Sequence, residues 1–129
     1  MSWEVFVPAP VIRGKVARFT WLNSNHRPHW SERAEVTKAW RENAKAAVQH
    51  TPNVPFFEDR VRIVATFHKP RGGRFDVANL APVVKAAVDG AVDAGVLRDD
   101  SNEYVEGPDL RPGEPRPDAP GVVLLFEYV

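Results

Sequence analysis

The chain has 129 residues, with 17 Lys and Arg against 17 Asp and Glu, no cysteine, and 43% hydrophobic side chains. That is the length of one domain and the mixture of a folded globular protein. The missing cysteines exclude a disulfide framework and any thiolate metal site. No run approaches the ~20 apolar residues of a membrane-spanning helix, and no basic start with a long apolar stretch marks a secretion signal, so a cytoplasmic domain is expected.

Zero net charge conceals a division. Residues 1–75 hold 13 Lys and Arg against 6 Asp and Glu, a balance of +7, and residues 76–129 hold 4 against 11, a balance of −7. Such sorting suits a cationic surface beside a group of carboxylates, the combination needed to grip phosphates and hold a metal at one of them. The plainer outcome is that folding mixes the two blocks.

In chain order, residues 1–14 contain Pro8, Pro10 and Gly14 and are expected to form an irregular extension with one short strand. Residues 15–22 alternate between basic and apolar and predict a strand. Residues 23–29 are turn chemistry, after which Ser31 suits an N-cap, with Glu32 and Glu35 favoured in the first turn by the helix dipole. A helix over residues 31–49 puts Val36, Trp40, Ala44, Ala47 and Val48 on one face and a basic ridge of Lys38, Arg41 and Lys45 almost opposite. Residues 60–68 alternate again and predict a second strand.

A basic, glycine-containing loop follows at residues 69–75. It leads through Asp76, Val77, Ala78 and Asn79 into a second helix over about residues 80–94. Pro82 is tolerated in its first turn, Leu80, Val84, Ala87, Val88 and Ala91 make its buried stripe, and Gly95 ends it. Tyr104 to Glu106 predicts a short strand, residues 107–121 hold five of the 12 prolines and predict a loop, and residues 122–128 predict a closing strand. The sum is a single α+β domain over residues 1–129, a two-layer sandwich with a mixed sheet of four or five strands and two main helices packed on it.

Several residues are candidates for chemistry. Asp76 precedes the second helix and Asp99 and Asp100 follow it. A helix of that length is ~22 Å long, so these acids meet only if the chain beyond Gly95 folds back. Mg2+ takes one or two carboxylates with waters and phosphate oxygens, so two converging aspartates would suffice; each alone is equally at home in a solvated loop. Lys85, Asp89 and Asp93 are spaced i, i+4, i+8, which fits either an exposed helical face or a lysine set beside a reacting phosphate. His26, Arg27 and His29, between Trp21 and Trp30, fit phosphate contact with base stacking, or two core tryptophans with a decorated turn. Arg71, Gly72, Gly73 and Arg74 resemble a phosphate-gripping loop in composition only. No nucleotide-binding glycine motif is present, so no nucleotide cofactor is expected.

Four segments together carry a resemblance. Arg74 with Asp76, Asn79 and Leu80, then Lys85 through Asp89 and Gly90, then Gly95 through Asp99, Asp100 and Ser101, with Ser24 to Arg27 upstream, resemble the RusA family of Holliday junction resolvases across most of residues 15–128. The resemblance implies a RusA-like fold and a homodimeric, Mg2+-dependent, structure-selective endodeoxyribonuclease for branched DNA in recombination and repair, with Mn2+ as a substitute ion. It assigns Asp76, Asp99 and Asp100 to the metal, Asp76, Lys85 and Asp100 to catalysis, Asn79 and Asp89 to support, and Arg27, Lys69, Arg71 and Arg74 to DNA. Two departures stand out. Ala78 replaces the second acid of the family's paired aspartates, and the span from Asn79 to Lys85 is about three residues longer, which leaves Lys85 on nearly the same face one turn along. The alternative reading that follows from Ala78 is a branched-DNA-binding protein of the same fold that has lost its cutting. A metal-free interaction domain stands behind both.

Overall fold

The structure is a computed structural model, and it describes residues 1–11, 21–24 and 30–129. In chain order its elements are β1 (Ser2–Pro8), α1 (Trp30–Gln49), β2 (Val61–His68), a 3₁₀ turn (Val77–Leu80), α2 (Ala81–Asp93), β3 (Val105–Pro112) and β4 (Gly121–Tyr128). The described strands form one mixed sheet in the order β1-β4-β2-β3. β4 pairs antiparallel with β1 on one side and with β2 on the other, while β2 and β3 are parallel. Parallel neighbours need a crossover, and α2 supplies it. The fold is therefore α+β: a four-stranded mixed sheet with two helices.

The two helical stripes are buried as their spacing requires. Trp40, Ala44 and Val48 of α1 and Leu80, Val84, Ala87, Val88 and Ala91 at and along α2 join Val61, Ile63, Ala65 and Phe67 of β2 and Val122, Leu124 and Phe126 of β4 in one core. Trp21 is buried there too, its ring 5.1 Å from Trp40 and 6.4 Å from Phe67, so the core reading of that tryptophan holds. A Cβ on Gly90 would overlap the Arg41 carbonyl and stand 2.8 Å from Ala44 Cβ, so this mid-helix glycine is what lets α1 and α2 approach.

α2 ends as expected. Gly95 adopts φ +89°, its N–H donates to the Val92 carbonyl, and the Val96 N–H donates to that of Ala91. These are the paired bonds of a glycine C-cap, and they turn the chain sharply back. The return is fixed where the Phe57 N–H donates to the Val96 carbonyl and the Val61 N–H to that of Tyr104.

Three expectations are met only in part. β1 is a seven-residue edge strand in register with β4 from Ser2 to Pro8, so the one short strand expected within residues 1–14 is present and takes half of that segment into the sheet. β3 runs on to Pro112 and shortens the proline-rich loop; it lies at the sheet edge, where missing N–H groups are tolerated. The strand expected over residues 15–22 falls mostly outside the described residues, and Trp21 and Leu22 at its end are not in a strand.

Candidate functional site: an acid–lysine cluster at a groove

Asp76 has a visible local task. Its backbone is extended (φ −99°, ψ 113°) and its Oδ1 accepts the Ala78 N–H at 3.0 Å, capping the 3₁₀ turn that opens α2. A short acid before a helical segment is favoured for that reason. The exposed Ala78 contributes its backbone N–H to this cap. Ser24 docks on the same place: its N–H donates to the Asn79 carbonyl at 2.9 Å, with Ser24 Oγ 3.5 Å from Asn79 Oδ1. Two separated segments of the sequence thus meet at the start of α2.

One turn further on, Lys85 projects from the exposed side of α2. Its Nζ donates to Asp89 Oδ1 at 3.0 Å and also to Asp100 Oδ2. The chain does fold back after Gly95, far enough for Asp100 to reach Lys85. Asp99 sets the geometry of that turn, its Oδ1 accepting the Asp100 N–H at 2.8 Å. The hydrogen bond from Lys85 holds the Asp100 carboxyl below its ordinary pKa, against the opposing effect of partial burial. Asp100 and then Asp89 hold Lys85 above its ordinary value. Lys85 therefore stays an ammonium at neutral pH, which suits it to face a phosphate as a cation and not to take a proton.

The cluster sits at the lip of a groove of about 380 Å³ between α2 and β3. Val84 and Val88 form one wall, Val105, Pro108 and Leu110 the other, and Lys85 and Asp100 stand at its polar rim. The apolar walls lower the local dielectric and strengthen charge interactions at the rim. Asp89 and Asp100 share the Lys85 ammonium, and their carboxylate oxygens are the donor type that a hard divalent ion takes. Asp76 makes no hydrogen bond to this cluster, and among the described residues no group of three or more His, Asp or Glu side chains is placed to hold a metal.

The remaining candidates divide. Asp93 does not continue the Lys85–Asp89 ladder. It takes a two-pronged hydrogen bond from Arg41 of α1, at 2.6 and 2.8 Å, which raises the pKa of Arg41 and lowers that of Asp93. The basic ridge is correspondingly reduced, since Lys38 also lies 3.8 Å from Glu42. Lys69 places Nζ 4.9 Å from the centre of the Phe75 ring, bracing the basic loop across its two ends. Arg71 and Arg74 are exposed and form no ion pair with the described residues. Arg27, with His26 and His29, lies outside the described residues, and so does the side chain of Trp30.

Sequence reasoning missed the groove and the Arg41–Asp93 pair. Gly90 was the one usable signal, because a glycine inside an otherwise strong helix marks close approach of another backbone. No family model matches the chain, and no relative is similar enough to it to count as a match. No helix is long and apolar enough to cross a membrane among the described residues.

Proposed function

We propose that the chain is a RusA-like, Mg2+-dependent endodeoxyribonuclease that cuts branched DNA as a homodimer in the cytoplasm. The observation that carries this reading is Lys85 held between Asp89 and Asp100 at the rim of the groove. It joins the helical lysine and the late aspartate of the motif, which lie 15 residues apart in the chain.

On this reading Asp100 and Asp89, with Asp76 and Asp99 by resemblance, would hold the ion. Bound there, Mg2+ supplies a polarised phosphate and a water of lowered pKa. The protein's own groups do the rest. Lys85 keeps the Asp100 carboxylate charged and presents a permanent positive charge where negative charge develops on the phosphate. Asp99 fixes the direction of Asp100 through the backbone, and the Asp76 cap sets the start of α2 and with it the position of Lys85. Arg71 and Arg74, exposed on their loop, supply phosphate contacts that position the DNA without reading its sequence.

The test is cleavage of a labelled four-way junction against linear duplex of the same sequence, with Mg2+ and with EDTA. Paired symmetric nicks on the junction alone, dependent on metal, are expected; equal cutting of duplex, or cutting in EDTA, would refute the reading. One observation favours a second reading. Ala78 stands where the family pattern has an acid, and a protein that binds junctions tightly without cutting them would be the silent relative. Ala78→Asp then separates the two, by a large gain of cutting or by none.

A further inference from the structure

The chain leaving β3 does not run free across the end of the sheet. The Gly113 N–H donates to the Phe67 carbonyl at 2.8 Å, the Arg116 N–H to the Lys69 carbonyl at 2.8 Å, and His68 Nδ1 to the Glu114 carbonyl at 2.9 Å. His68 is the one buried polar or charged residue among those described, and its ring is covered by this segment. The fit there is close: a Cβ on Gly113 would stand 2.6 Å from His68 Cε1 and 2.8 Å from Thr66 Cγ2. Pro115 in turn lies against the basic loop, its Cγ 3.7 Å from where Gly72 would carry a Cβ. Residues 113–116 are thus hydrogen-bonded to the root of the loop that carries Lys69, Arg71 and Arg74.

Arg116 has its backbone fixed by this arrangement and its guanidinium 5.7 Å from the centre of the Phe6 ring in β1. A ring contact orients a guanidinium without using up its five N–H donors. None of the described residues accepts a hydrogen bond from them or pairs with the charge. The acids of the same segment, Glu114 and Asp118, are exposed and form no ion pair with Arg116 or with the loop cations.

We propose that Arg116 is a further phosphate contact, joined to Lys69, Arg71 and Arg74 in one cationic face that receives the backbone of the branched DNA. The choice of partner rests on the nuclease reading; the placing of Arg116 beside the loop does not. Four cations on two chain segments bonded to each other match an extended polyanion, whose phosphates repeat along its length.

The experiment measures the Kd of a fluorescent four-way junction in EDTA, by anisotropy, over salt from about 50 to about 300 mM, for the wild type, Arg116→Gln and Arg60→Gln. Arg60 is exposed and lies at the opposite end of β2, so its variant removes one charge from elsewhere. Arg116→Gln is expected to bind about eightfold more weakly near 0.1 M salt and to reduce the log–log salt slope by about 0.9, the signature of one lost phosphate contact. Arg60→Gln is expected to match the wild type. Equal behaviour of the two variants, or a wild-type slope for Arg116→Gln, would overturn the proposal while leaving the nuclease reading in place. A wild-type protein with no salt-dependent junction binding would overturn both.

Discussion

α2 carries two acid–base clusters four residues apart, and they are built for different ends. At Asp93 a guanidinium from α1 makes two parallel bonds to one carboxylate, a closed geometry that uses both acceptor oxygens and ties one helix to the other. At Asp89 a single ammonium is shared with Asp100, which arrives from the turn beyond the helix. Lys85 is 65% exposed while its two acids are 26% and 24% exposed, so the charge faces outward from a more sheltered pair. A lysine is a compact point charge on a flexible stem and can move aside or turn to a phosphate; a forked arginine cannot do so without losing both bonds. One helix therefore holds a structural clasp and a chemically open site, distinguished by which cation each acid received.

The largest expected effect falls on the open cluster. Lys85→Met should lower junction cutting by ~10²-fold or more, as loss of a charge-stabilising group does, with junction binding retained; a gel assay for cutting beside anisotropy for binding separates the two. Next comes the approach of the helices. Gly90→Ala forces a Cβ against Arg41 and Ala44 and should cost about 1–3 kcal/mol in urea unfolding, an overpacking penalty. Unchanged stability would show that the helices are not held at this distance by packing.

Smaller still is the pH response of the Lys85–Asp100 pair. The folded pKa of Asp100 lies below 3.8, so the stability it contributes is present above that value and is lost as pH falls through the lower folded one. The folded pKa of Lys85 lies above 10.5, so its contribution is present below that value and is lost as pH rises past the folded one. Melting curves of the wild type and Asp100→Asn should therefore differ by a constant amount through neutral pH and converge in strong acid. A difference that vanished near neutrality would mean that the pair is not formed. The smallest effect belongs to the exposed clasp, where Asp93→Asn should lower the melting temperature less than Gly90→Ala does.

The sequence shows some of this plainly and some not at all. Both helical stripes, the proline in the first turn of α2 and the glycine after its last follow from spacing and local sterics, and all are where those dictate. β1 and β3 were harder because proline reads as punctuation. Pro8, Pro108 and Pro112 all lie in edge strands, and edge position is a property of the assembled sheet. The Lys85–Asp89 pair is visible as i, i+4. That Asp100 joins it depends on the tight reversal at Gly95, and that Asp93 belongs to Arg41 depends on how two helices cross, 52 residues apart in the chain. Spacing within one element carries no such information.

The most direct measurement is junction cutting in Mg2+ by Asp100→Asn and Asp93→Asn side by side, each checked for junction binding. The expected result is that Asp93→Asn cuts close to the wild-type rate, whereas Asp100→Asn binds the junction and leaves it whole. Cutting by Asp100→Asn at the wild-type rate would contradict the placing of the active site at the Lys85 groove.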